Sequence, residues 1–128
     1  MAPEKVTKKV LIVDDTEDNR EILVYRLGSF GDLEVLTASN GKEALEVARQ
    51  FRPDLIIMDL KMPVMSGAEA TRALKQTEWG KQIPVIALTA HVGDAERNMA
   101  LDAGCSDFVT KPIVDYEGFY KRIQKFLK

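Results

Sequence analysis

The sequence predicts an α/β fold: a parallel five-stranded sheet, doubly wound, with helices on both faces. Five apolar runs at 9–13, 33–38, 54–58, 83–88 and 107–110 alternate with helical patterns at about 17–29, 41–50, 66–76, 93–103 and 115–127. That alternation is the pattern of five βα units. Runs such as Val10-Leu11-Ile12-Val13 and Leu55-Ile56-Ile57-Met58 are continuously apolar, as strands buried on both faces are. Four of the five runs end on polar residues: Asp14-Asp15, Asp59, Thr89 and Lys111.

Residues 1–8, Met-Ala-Pro-Glu-Lys-Val-Thr-Lys, are polar and aperiodic, so a loose arm is expected before a folded unit at 9–128. The first strand closes in Asp14 and Asp15. Asn40-Gly41 marks the start of the second helix, where Gly41, Ala44, Leu45 and Ala48 form a stripe of small residues suited to close packing on a sheet. Pro53 after Arg52 breaks that helix, and the third strand then runs to Asp59. The fourth strand delivers Thr89. Gly104 is read as the turn that ends the fourth helix, and Cys105 after it as a small buried hydrophobe. The fifth strand, Phe108-Val109-Thr110, delivers Lys111-Pro112. Tyr116, Phe119, Tyr120, Ile123, Phe126 and Leu127 recur at helical spacing and give the last helix one apolar face.

A chain of 128 residues fits one domain, long enough to bury roughly two thirds of its unfolded surface. Its apolar and charged fractions, 45% and 30%, are those of an ordinary globular domain, and a formal net charge of -2 offers no polybasic surface for nucleic acid. No apolar run approaches 18 residues and no signal peptide precedes the first strand, so no membrane association is expected and the cytoplasm is the expected location. The single cysteine excludes an internal disulfide. No Cys/His cluster points to zinc.

In an open α/β sheet, ligands bind beyond the carboxyl ends of the strands. An acid pair, a third acid, a hydroxyl and an amine therefore converge there if the sheet is parallel. Three carboxylates in one crevice repel, and are tolerated when a hard cation sits among them or one pKa rises. Such a set suits phosphoryl transfer. Asp59 would be the nucleophile. Asp15, Asp59 and the backbone carbonyl near Lys61 would hold Mg²⁺ directly, with Asp14 acting through water; Mn²⁺ is expected to substitute for Mg²⁺. Lys111 would give a point charge and Thr89 a hydrogen bond to the phosphoryl oxygens. Each residue alone has a plainer reading, an Asp or Thr as a helix cap and a lysine as a solvated charge; their joint order is what carries the argument.

The motifs Val13-Asp14-Asp15, Met58-Asp59-Leu60-Lys61-Met62-Pro63 with Ser66-Gly67, Leu88-Thr89-Ala90 and Lys111-Pro112 span nearly the whole chain. They resemble the receiver domains of two-component response regulators, the family of the single-domain chemotaxis protein. The resemblance implies a flavodoxin-like (βα)5 fold with sheet order 2-1-3-4-5. It implies that Asp59 accepts phosphate from a phosphohistidine on a histidine kinase or histidine phosphotransfer protein, and that the domain catalyses its own phosphorylation and dephosphorylation. It further implies a switch through Thr89 and an aromatic residue, here Phe108, although Phe108 as plain core fits equally well and lacks the hydroxyl of the tyrosine that many members carry. Lys111-Pro112 is expected to be a cis peptide. Lys61 and His91 occupy positions that tune phosphate lifetime in the family; His91 as a solvated residue at the start of the fourth helix is the alternative.

No further domain is expected after the fifth helix, so output is expected through surface contacts: a downstream protein on the face of the fourth helix, fifth strand and fifth helix, or a phosphorylation-dependent dimer in place of a monomer. Val92, Ala95 and Met99 would line one helix of that face, and Tyr116, Phe119 and Tyr120 the other, with Lys121, Arg122, Lys125 and Lys128 adding charge. Alternatives are a receiver excised from a larger hybrid kinase or transcription regulator, a metal-dependent aspartyl phosphohydrolase and a flavin-binding module. The phosphohydrolase motif, Asp-X-Asp after the first strand, is not matched by Val13-Asp14-Asp15-Thr16, and a flavin module needs a phosphate-cradling loop there.

Overall fold

Strand and helix alternate without exception along the chain. In the computed structural model, which describes residues 7–62, 64–90 and 93–127, the order is β1 (Lys8–Val13), α1 (Glu17–Gly28), β2 (Leu33–Ala38), α2 (Gly41–Phe51) and β3 (Leu55–Asp59). It continues with α3 (Gly67–Lys75), β4 (Val85–Thr89), α4 (Asp94–Ala103), β5 (Asp107–Thr110) and α5 (Tyr116–Phe126). All four strand pairings are parallel, in the order β2-β1-β3-β4-β5 that the resemblance implies.

Alternate residues of each central strand point into two separate cores, as the period of two in a pleated strand requires. Leu11, Val13, Ile56, Met58, Val85 and Ala87 meet Ala44 and Ala48 of α2, Ala70 and Leu74 of α3, and Ala100 and Ala103 of α4. Val10, Ile12, Leu55, Ile57, Ile86 and Leu88 meet Leu23 and Leu27 of α1 and Phe119 and Ile123 of α5. Alanines on the first face let three helices lie close to the sheet. The larger residues on the second let two helices cover the same width, each buried leucine contributing about 2 kcal/mol of apolar transfer. The chain leaves β1 one way to β2 and the other way to β3. The carboxyl ends of β1 and β3 thus flank the switch point where a crevice opens.

The local signals place the helix ends. Asn40 caps α2 by accepting from the Glu43 N–H, Ser66 and Glu69 form a reciprocal capping box on α3, and Asp115 caps α5 through the Gly118 N–H. Gly104 ends α4 in the left-handed region at φ 106°, which the absence of a Cβ permits. Cys105 is buried, as read from the sequence, with its sulfur 3.9 Å from the Thr71 hydroxyl. Three strands differ from the expected runs by one or two residues at their ends. β1 starts at Lys8; β3 runs from Leu55 through Asp59; β4 runs from Val85 through Thr89, because Ile83, though buried, bonds to Gly80 in a turn.

At the sheet edge the Phe30 and Tyr120 rings stack at 3.8 Å, and the Tyr120 hydroxyl donates to Asp32. Burial, and after it the bond to Asp32, pushes the phenol up to about 12. Its folded pKa lies above the ordinary value of 10, so the stabilisation is fully present below pH 10 and fades as pH rises through about 12. Tyr120→Phe should cost about 1–2 kcal/mol at pH 7, since Asp32 would lose a donor while its Oδ1 is already buried without a partner among the described residues. A urea midpoint equal to the native one would show that the bond contributes nothing.

Candidate functional site

Asp14 follows the last residue of β1 and keeps its backbone in the sheet by donating to the Ala38 carbonyl at 3.2 Å. Its side chain is buried, and Oδ1 accepts from the Thr16 N–H at 2.9 Å, an Asx-type turn that directs the chain into α1. The Arg20 guanidinium reaches back from that helix to the Asp14 carbonyl at 2.7 Å. Asp15, next in the chain, is exposed.

Asp59 closes β3 with only 5% of its surface exposed, and its Oδ1 accepts from the Lys61 N–H at 3.3 Å. Carboxylate oxygens of Asp14, Asp15 and Asp59 all lie within 4.8 Å of one another. Lys111 arrives from the end of β5, where its N–H donates to the Thr89 carbonyl at 2.7 Å and the Lys111–Pro112 peptide is cis. The ammonium sits 3.0 Å from Asp59 Oδ2 and 3.5 Å from Asp14 Oδ2. Thr89 is buried at the tip of β4.

The loop after Asp59 is held at both ends. The Gly67 N–H donates to the Leu60 carbonyl at 3.0 Å, and the Met65 carbonyl accepts from Gly41 at 3.2 Å. Between them Val64 adopts φ 74° with 81% of its surface exposed, an uncommon conformation for a β-branched residue. Gly67 lies against the backbone of Asp59 itself: a Cβ there would be 2.0 Å from the Asp59 carbonyl oxygen.

Burial raises the Asp59 pKa above its ordinary value, and the neighbouring Asp14 charge adds to the rise; the hydrogen bond and charge of Lys111 oppose it without cancelling it. For Lys111 burial is the largest single influence and works downward, but the bonds and charges of Asp59 and Asp14 together outweigh it and the net shift is upward. The ammonium is therefore held protonated. Three ionised carboxylates against one ammonium leave the crevice two charges negative, and all three present hard oxygen donors. This donor set fits a small divalent cation with oxygen ligands.

The fold thus brings together Asp14, Asp15, Asp59 and Lys111 and places Thr89 at the neighbouring strand tip. The Lys61 backbone touches Asp59 while its side chain is exposed. Phe108 is half-buried on the face of the sheet that α4 covers. His91, Val92, Pro63, Lys128 and residues 1–6 of the expected arm lie outside the described residues. On the face of α4 and α5, Ala95 and Met99 are exposed, but Phe119 is only 3% exposed and belongs to the core. Its spacing with Ile123 puts it on the inner side of α5, so it is removed from the docking face. Sequence reasoning missed the Thr16 N–H and Arg20. The signal available was a hydroxyl residue two positions after Asp14 followed by a basic residue one helical turn on.

A parallel sheet with two buried acids, an exposed third and a paired lysine across its carboxyl edge is the frame of a signalling receiver. The family model described as response regulator receiver domain matches residues 10–124, and the chain belongs to that family. Among its relatives is the polar-differentiation response regulator DivK of Brucella anthropi, 38% identical over 120 residues that cover 94% of this chain and 96% of the relative. Among solved structures, the chemotaxis protein CheY4 of Vibrio cholerae superposes with a TM-score of 0.88 at 34% identity, covering 95% of this chain and all of that one. The receiver domain of a sensor histidine kinase from Pseudomonas aeruginosa, whose active-site cleft holds a coordinated magnesium ion, gives 0.87 at 31% identity, covering 95% of this chain and 98% of that one. Receiver domains take phosphoryl groups from histidine kinases. Among the described residues no helix is long and apolar enough to cross a membrane.

Proposed function

We propose that Asp59 is the phosphoryl acceptor of this receiver, that the donor is a phosphohistidine on a histidine kinase or phosphotransfer protein, and that transfer requires Mg²⁺. The observation that carries the reading is the Asp59 carboxylate at the tip of β3, within 4.8 Å of the Asp14 and Asp15 carboxylates and 3.0 Å from the Lys111 ammonium. Asp14, Asp15, Asp59 and the Lys61 backbone carbonyl would hold the ion, which when bound offsets negative charge on the phosphoryl oxygens. The relative with magnesium in its cleft supports that choice of ion.

An Asp59 oxygen attacks the phosphorus in line while the P–N bond to the donor imidazole breaks and the imidazole leaves. Lys111 shifts its charge toward a phosphoryl oxygen, and the Thr89 hydroxyl donates to another. Beside Asp14 a groove of about 420 Å³, lined by Ile22, Leu88, Ile113 and Tyr116, offers apolar surface on which a donor protein can seat. The phosphorylated form would then bias a protein-binding face made by α4, β5 and α5, where Ala95 and Met99 are exposed. Lys61 and His91 would set how fast water removes the phosphate.

Intact-mass measurement after incubation with phosphoramidate tests this directly. The native chain with Mg²⁺ should gain one phosphoryl group, and it should gain none with EDTA or as Asp59→Asn. An equal adduct on the Asp59→Asn variant would refute the assignment, as would no adduct on the native chain with Mg²⁺.

A further inference from the structure

Phe108 and Thr89 share one face of the sheet. Phe108 pairs in register with Ala87, and Thr89 stands two residues beyond Ala87 on the same side, so only a methyl group lies opposite the ring on the strand that carries Thr89. On the other side of the ring stands α4, whose Arg97 guanidinium lies over the Phe108 face at 6.0 Å from its centroid. From α5, Arg122 donates to the Phe108 carbonyl at 3.4 Å and approaches Asp107 at 3.8 Å. Both α5 contacts reach the backbone at 108 and its neighbour, not the ring, which can turn about its own side-chain bonds.

We propose that Arg97 is a positioning residue that holds the Phe108 ring in its half-exposed position by a cation–π contact, and so biases this receiver against its phosphorylated form. The inference rests on the reading of Asp59 as the phosphoryl acceptor coupled to Thr89 and Phe108. A phenylalanine has no hydroxyl with which to anchor itself at the surface, and Arg97 supplies the anchor that the ring lacks. At 6.0 Å the contact is already near the outer limit for such an attraction, so a turn of the ring toward Thr89 breaks it. Whatever draws Thr89 toward the phosphoryl group, and the ring after it, must overcome this contact. By linkage the contact weakens binding of anything that favours the turned ring. An exposed cation over a phenyl face, as Arg97 is, is worth about a two- to five-fold bias.

Beryllium fluoride, a stand-in for the aspartyl phosphoryl group, reads this bias when titrated calorimetrically at saturating Mg²⁺. Arg97→Gln should bind it two- to five-fold more tightly than the native chain, and Arg97→Lys, which keeps a cation, should bind as the native chain does. In a Phe108→Leu background, Arg97→Gln should change nothing, because the ring is gone. Unchanged or weaker binding in Arg97→Gln would overturn the inference, as would the same gain with leucine at 108. Failure of the native chain to bind beryllium fluoride at all would overturn the acceptor reading as well, which separates the two.

Discussion

Gly67→Ala should lose about 3 kcal/mol or more of stability and slow phosphorylation of Asp59 by an order of magnitude. The added Cβ would lie 2.0 Å from the Asp59 carbonyl oxygen and 2.8 Å from both the Asp59 carbonyl carbon and Met58 Cγ. Two of those three atoms are backbone of the strand that carries Asp59, so no flexible side chain can yield. Either α3 moves away, breaking the 3.0 Å bond from the Gly67 N–H to Leu60 and loosening the Ser66–Glu69 capping box, or the Asp59 peptide rotates and misdirects its carboxylate. Overpacking into a close-packed interior costs 1–3 kcal/mol when side chains can adjust, and more when they cannot. For a domain of this size that corresponds to a fall in Tm of roughly 10–20 °C. Gly28→Ala, at the end of α1 with nothing within 4 Å of the new methyl, is the control and should lose no stability, gaining up to about 1 kcal/mol. Urea unfolding of both variants checks the prediction; a loss below 1 kcal/mol in Gly67→Ala would show that the loop accommodates a methyl group.

Gly67 also marks where sequence reading stops. The Ser66-Gly67 pair is visible as part of a motif, but that glycine is needed because a helix start presses on the preceding strand end is a fact of packing, absent from any local pattern. The five strands were legible because a parallel sheet covered on both faces demands continuous apolar runs, and the helices because their faces alternate. The errors have the same cause. Apolarity reports burial and not pairing, so Ile83 read as strand although its backbone turns on Gly80, while polar Asp59 ended a run that the ladder continues through it. Phe119 reads from the sequence as part of both the apolar stripe of α5 and its docking face, and only the first holds, because it lies on the inner side of the helix. The convergence of Asp14, Asp15 and Asp59 followed from topology once the sheet was parallel. The 3.0 Å contact of Lys111 with Asp59, and the placing of Arg97 over Phe108, join residues distant in sequence through three-dimensional packing alone.

Charge removal should move stability in opposite directions at Asp59 and at Lys111, although both changes impair the chemistry. Burial raises the pKa of Asp59, so the ionised form is tolerated less well in the folded chain than in the unfolded one. Its contribution to stability is present below the ordinary value of 3.8 and is lost as pH rises through the raised folded value, which makes the ionised carboxylate a cost at pH 7. In EDTA at pH 7, Asp59→Asn should therefore melt several degrees above the native chain, with the gap closing as pH falls. Lys111→Met should do the reverse. It leaves Asp14 and Asp59 facing one another without their cation, and since the lysine side chain is 24% exposed the loss should be about 2 kcal/mol, below the 3–5 kcal/mol typical of a fully buried pair. Saturating Mg²⁺ should restore most of that loss, because a cation among the three carboxylates replaces the missing ammonium and no longer competes with it. At about 100 times its Kd the ion adds about 2.7 kcal/mol to any form that binds it. At one common Mg²⁺ concentration the gain in Tm should be largest for Lys111→Met, intermediate for the native chain and smallest for Asp59→Asn, in the order of their affinities for the ion. Phosphorylation by phosphoramidate should nonetheless fall about 100-fold in Lys111→Met, since the ion cannot reproduce the fixed positive charge on the far side of the phosphoryl group. Equal Mg²⁺ shifts in the three proteins would show that the crevice binds no ion through Asp59, and a Lys111→Met variant as stable as the native chain in EDTA would show that the ammonium does not offset the buried carboxylates.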